Sequence, residues 1–209
     1  MTINKDDLLN SILDSLGRIQ HIEVDDIPDI DLYMDQVTTF MDEKLKNSVR
    51  NPREDKILTK TMINNYAKNN LLPPPVKKKY SKEHVVLLIF IYYYKGILTI
   101  SDIQKLLNPL TERFFHHDGF DLSSIYTEVF SLEGENVERL KEDMMKKFQD
   151  AQTTFQEVQG KEREFLQFFS LICMLSFDVY VKKLLIEKLI DEFDPQGDKQ
   201  RQETKKEKG

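Results

Sequence analysis

Residues 57–107 run ILTKTMINNYAKNNLLPPPVKKKYSKEHVVLLIFIYYYKGILTISDIQKLL, and the fold turns on their middle, Leu71 to Tyr80. Pro73, Pro74 and Pro75 supply no amide donors and hold the residues before them away from helical angles. The segment is therefore expected to be a non-helical turn. On its N-terminal side Thr59 can cap a short helix over Lys60 to Asn69. On its C-terminal side Ser81 opens a helix through about Lys95. Thr99, with Asp102 three residues on, then resembles a capping box for a last short helix ending near Leu107.

Outward from this stretch the periodicity stays helical. Leu8, Leu9, Ile12, Leu13, Leu16 and Ile19 repeat at helical spacing and predict a first amphipathic helix. A turn follows at Asp25 to Pro28, and Asp31 is placed to cap a helix reaching about Lys46, with Val37, Met41 and Leu45 among its apolar positions. A linker, 47–55, contains Pro52. Residues 121–193 predict two or three helices, and 194–209, with no apolar side chain beyond its linker Pro and Gly, is expected to be disordered. From Phe165 to Ile186 the apolar residues cover most of a helix circumference, which demands cover on several sides. A homodimer interface meets that demand economically; a monomeric core is the alternative.

Charge is unevenly distributed. Lys56 to Leu107 holds nine lysines against two acids, +7, within a chain of net −6, so the remainder carries −13. A basic island in an acidic chain is the footprint of a nucleic-acid reader joined to a solvated partner region. A lysine-rich solvent face gives the same count. On the helix from Lys60, residues Met62, Ile63 and Tyr66 share one side, while Lys60, Thr61, Asn64, Asn65 and Lys68 share the other. Asparagine is a poor helix former, and its amide pairs bidentately with adenine in a major groove. Lys77, Lys78 and Lys79 sit on the proline-stiffened turn, where they can neutralise phosphates.

The same stretch resembles the winged-helix reader of the MerR family. Leu71-Leu72-Pro73-Pro74 matches its turn, Tyr80-Ser81 its wing exit, and Leu98-Thr99-Ile100-Ser101-Asp102-Ile103 its final element. It departs from the pattern in having Asn64-Asn65-Tyr66 for Arg-Tyr-Tyr, Asn70 for a glycine, a shorter wing, and an acidic first helix with Asp29, Asp31, Asp35, Asp42 and Glu43. More closely, Ile30 to Val37 and Met62 to Tyr66 resemble a Gram-positive bacterial family known only as a domain of unknown function, the YkrK-like regulators. The resemblance implies a mostly all-α fold divided as follows: an N-terminal helix, 1–27; a MerR-like winged-helix domain, 28–110; a helical effector or dimerisation region, 111–193; and a tail, 194–209. It implies a cytoplasmic transcription regulator that binds double-stranded DNA as a homodimer through Thr59, Lys60, Thr61, Asn64, Asn65, Lys68, Lys77, Lys78, Lys79 and Tyr80. An adaptor using the same fold for protein contacts, without DNA, is the rival reading.

Signs of enzyme chemistry are thin, so no catalytic residue, metal or cofactor is expected. His116-His117-Asp118, with Glu112 nearby, lacks the i, i+4 geometry of a helical chelate, and no cysteine pair assists it. His21 and His84 have no evident partners and are expected at the surface. Cys173, inside LQFFSLICMLSF, is expected to be a small buried hydrophobe. The acidic start MTINKDDLLN lacks the basic-then-apolar pattern of a signal peptide, and Phe165 to Val181 is too short and too interrupted to span a membrane. An effector, small molecule or protein, leaves no trace in the sequence.

Overall fold

The computed structural model describes residues 5–16, 21–49, 51 and 56–193. Over these the chain is mostly α-helical, with eight α-helices and one pair of two-residue strands. Residues 17–20, 52–55 and 194–209, which include Ile19, Pro52 and the expected tail, lie outside the described residues.

The decisive stretch folds as its local chemistry requires. Helix α3, Lys60–Lys68, begins where the Thr59 hydroxyl accepts the Met62 N–H at 3.1 Å, a cap worth about 1 kcal/mol. It stops at Asn70, whose φ of +54° lets the Leu71 N–H reach back to the Tyr66 carbonyl at 2.9 Å. Asparagine tolerates that left-handed angle better than most residues and so replaces glycine. Leu71 and Leu72 then bury themselves, and the three prolines lead to a hairpin. Val76 and Lys79 exchange both backbone hydrogen bonds, at 3.1 and 2.9 Å, around Lys77 and Lys78. Those two lysines have φ of +51° and +66°, the left-handed pair of a type I′ turn.

Strand β1, Leu32–Tyr33, pairs antiparallel with β2, Lys79–Tyr80, setting Leu32 opposite Tyr80 and Tyr33 opposite Lys79. Opposed residues share a face. Leu32 and Tyr80 are buried, whereas Tyr33 stands out toward solvent. The strand also corrects the expected start of the acidic helix. α2 spans Met34–Leu45, and its entry is fastened by the Gln36 side chain accepting the Tyr33 N–H at 2.8 Å, with Asp31 left outside. Asp31 cannot cap a helix that begins only after a strand.

Helix α4, Lys82–Tyr94, buries every residue from Glu83 to Ile91. Helix α5, Ile100–Phe114, opens with the Thr99–Asp102 capping box, Asp102 N–H to Thr99 at 3.2 Å and Thr99 N–H to Asp102 at 3.3 Å. It continues seven residues beyond the expected end near Leu107, through Pro109. Proline lacks the N–H that would close a helical turn onto residue 105, but contacts beyond the local sequence fix the true end: the Glu83 carboxylate receives the His116 N–H at 2.9 and 3.0 Å. Helix α6, Leu122–Phe130, starts where Asp121 accepts the Ser124 N–H at 2.9 Å.

The chain groups into two compact units. One holds His21–Val129 with the end of α8 from Leu185; the other holds α1, Lys5–Leu16, with Phe130–Leu184. Residues 111–129 join the hairpin unit because Tyr126 is buried there, its hydroxyl donating to the Ile22 carbonyl at 2.6 Å and its ring edge-on to Phe90 at 5.6 Å. In the other unit Leu9 of α1 shares a core with Met144 and Ala151 of α7, Glu133–Gln152, and Leu171 of α8, Gly160–Phe193.

Within that second unit α8 is covered on one side only. Gln167 and Leu171 are buried, Gln167 donating to the Gln152 carbonyl at 2.8 Å. On the opposite side Phe165, Phe169, Ile172, Val179 and Tyr180 are all exposed. Cys173 is exposed as well, correcting the buried position expected for it. It lies two residues from Leu171, about 200° around the helix, so it points away from the α1–α7 side. Among the described residues no helix is long and apolar enough to cross a membrane.

Candidate nucleic-acid interface

Helix α3 presents two distinct faces. Ile63 and Tyr66 are buried, and burial pushes the Tyr66 phenol above its ordinary pKa. Thr61, Asn64, Asn65 and Lys68 are exposed on the other side. The Asn64 and Asn65 amides therefore face solvent from the middle of a helix whose stability they do not favour. Thr59, also expected to contact a ligand, has its hydroxyl committed to the cap.

The nine lysines of the basic island sort into two groups. Lys60 is paired with Asp35 at the start of α2, and Lys82 with Asp29 at 2.7 Å. Lys105 meets Asp191 at 3.1 Å. Lys95 donates to the Ile57 carbonyl at 2.6 Å and lies 4.9 Å from the Tyr92 ring centre; burial lowers its pKa. These four lysines are engaged by partners within their own unit. Lys56, Lys68, Lys77, Lys78 and Lys79 have no acid partner among the described residues, and Lys79 sits 5.2 Å above the ring of Tyr33. The sorting also explains how an acidic α2 can adjoin a cationic surface, since two of its nearby carboxylates are neutralised by lysines from the same unit. Free positive charge concentrates on the hairpin.

Tyr80 is placed differently from the expectation. It is 3% exposed, pointing inward opposite Leu32, with its ring edge-on to His84 at 5.5 Å. Burial raises its phenol pKa. The alternation of β2 fixes this, because Lys79 outward forces Tyr80 inward.

His84 likewise departs from the surface position expected of it, being 1% exposed. Its Nδ1 accepts the Ser81 N–H at 3.0 Å, capping α4, and its ring stacks edge-on to Phe115 at 4.9 Å. Among the described residues Nε2 has no hydrogen-bond partner. Burial drives the imidazole pKa down to about 4, with His116 adding to the shift against the pull of the Pro74 carbonyl and Asp31. Beside it the buried Glu83 carboxylate approaches His116 Nδ1 at 2.7 Å. This junction ties the base of the hairpin to the turn after α5. Sequence spacing carries no sign of it, since the partners are 33 residues apart. His21 is half-buried, 3.4 Å from Glu23 and edge-on to Tyr126. Among the described residues no cluster of three or more His, Cys, Asp or Glu could hold a metal ion.

Residues 22–129 match the model of a family described as a domain of unknown function (DUF1836). Those bounds coincide almost to the residue with the first segment, His21–Val129, of the compact unit that also takes in the end of α8 from Leu185. No curated protein and no solved structure matches the chain.

Proposed function

We propose that the chain, which belongs to the DUF1836 family, is a sequence-specific DNA-binding transcription regulator whose unit 21–129 works as a MerR-like winged helix. In this reading α2 and α3 form the helix-turn-helix, α3 enters the major groove, and the hairpin at Lys77-Lys78 is the wing. Thr61, Asn64 and Asn65 contact base edges, and Lys68, Lys77, Lys78 and Lys79 neutralise phosphates. Lys60 is tied to Asp35, and Thr59 and Tyr80 act from within the fold.

The observation that carries the reading is the backbone at Lys77 and Lys78. Both hold left-handed angles that asparagine or glycine would adopt at lower cost. Nothing in the packing requires lysine there, because both are exposed and unpartnered. A strained turn that nevertheless keeps two cations at its tip fits selection for an anionic partner.

The second unit supplies assembly. The exposed residues Phe165, Phe169, Ile172 and Val179 recur at helical spacing along one side of α8, and an apolar face of that extent is characteristic of an interaction surface. A second copy of the chain is its partner in this proposal, giving a dimer suited to a two-fold operator.

Both parts are open to direct test. Duplex binding by the full chain should weaken steeply with salt, because each neutralised phosphate releases counterions. An affinity insensitive to salt, or no binding at all, favours the protein adaptor. Sedimentation at micromolar concentration should give a dimer, and Ile172→Glu should give a monomer; a monomeric wild type contradicts the assembly.

A further inference from the structure

The outward face of the small sheet holds a residue that neither its sequence pattern nor its family assigns to any task. Tyr33 on β1 is 54% exposed. It stands opposite Lys79, and Lys79 in turn bridges to Val76, which is 63% exposed. Residues opposed across antiparallel strands share a face, so Val76, Lys79 and Tyr33 form one row across the sheet. The Lys79 ammonium rests 5.2 Å from the Tyr33 ring centre, where the ring quadrupole attracts it. Lys77 and Lys78, the two residues before it, have no such support among the described residues.

We infer that Tyr33 is a positioning residue for duplex binding, holding Lys79 extended across the sheet so that its ammonium meets a phosphate already ordered. This inference rests on the DNA-binding reading of the hairpin. A free lysine loses rotamer freedom when it binds, and a side chain ordered beforehand loses less. An ammonium has three donors, and contact with the ring face leaves them available to phosphate oxygens. The complementarity is electrostatic: Lys79 within the row is preceded by two further cations, Lys77 and Lys78, and none of the three has an acid partner among the described residues. These cations call for an anionic partner, which on the DNA-binding reading is the phosphate backbone of duplex DNA.

The test uses the full chain on one duplex across a salt series. Tyr33→Leu should weaken binding about threefold, the effect of one exposed cation–π contact. The loss should be equal at every salt concentration, because no charge is removed. Tyr33→Phe keeps the ring and should bind as wild type does. Lys79→Ala should reduce the magnitude of the salt slope by about one, and adding Tyr33→Leu to it should change nothing more. Thermal melting of Tyr33→Leu checks that this exposed position leaves the fold intact. If wild type binds duplex and Tyr33→Leu binds equally well, or if its loss adds in full to that of Lys79→Ala, the positioning role is wrong while the hairpin reading survives. If wild type binds no duplex, both fall together.

Discussion

Helices α4 and α8 are written in the same kind of sequence, apolar on nearly every side, yet Ile89 on α4 is 0% exposed and Ile172 on α8 is 46% exposed. α4 is short, and the unit 21–129 surrounds it: the hairpin strand lies at its start, α5 packs along it, and Tyr126 of α6 closes on Phe90. α8 is 34 residues long, and in its own unit the core formed with α1 and α7 covers only the Gln167–Leu171 side. Apolar periodicity thus states how many sides of a helix need cover and leaves open which chain provides it. For α4 the same chain does. For α8, on the proposal above, a second copy does.

The sharpest way to break this comparison is to make the same truncation on both helices and measure urea unfolding at a concentration where the chain is monomeric. Ile89→Ala should cost about 2–5 kcal/mol, as for a fully buried isoleucine. Ile172→Ala should cost less than about 0.5 kcal/mol. Equal losses would show that α8 is covered within its own chain.

A second prediction follows from the ionisable group sealed beneath the α4 start. His84 in the folded chain titrates at about 4, against about 6.5 when unfolded. Between those values the unfolded chain binds a proton that the folded chain refuses, so stability falls as pH falls. The contribution is complete above pH 6.5 and is lost progressively down to about 4, to a total of about 3 kcal/mol. His84→Gln should flatten that window when the two unfolding profiles are compared, and parallel profiles would place the imidazole in contact with water.

The smallest effect belongs to the hairpin. Replacing Lys77 by Asn together with Lys78 by Gly suits both left-handed positions and should stabilise the fold by about 1 kcal/mol, read as a higher melting temperature. Duplex affinity should fall in the same variant. A more stable protein with unchanged affinity would leave the lysines without a role in binding.

Much of this architecture was legible because its signals are local. The Thr59 cap, the Asn70 stop, the three prolines and the Thr99–Asp102 box each act within a few residues, and each is where its chemistry put it. The two faces of α3 also followed from spacing alone. What escaped was set by pairing. A β1 of two residues moved the start of α2 away from Asp31, and its register turned Tyr80 inward. The Glu83–His116 contact holds the turn that ends α5 well past Leu107, and it joins segments no periodicity relates. Cys173 was misplaced for the reason α8 itself is ambiguous: composition cannot say which side lacks cover.

The central claim, that α3 reads bases while the hairpin holds phosphates, is tested most directly by binding isotherms on two duplexes at several salt concentrations. One duplex is selected by the protein from a random library, and the other is unselected. Asn64→Ala should weaken the selected duplex by about 1–3 kcal/mol and leave the unselected one nearly unchanged. Lys78→Ala should weaken both alike and reduce the magnitude of the salt slope by about one. If Asn64→Ala binds both duplexes as tightly as wild type does, the assignment of α3 as the reading helix is contradicted.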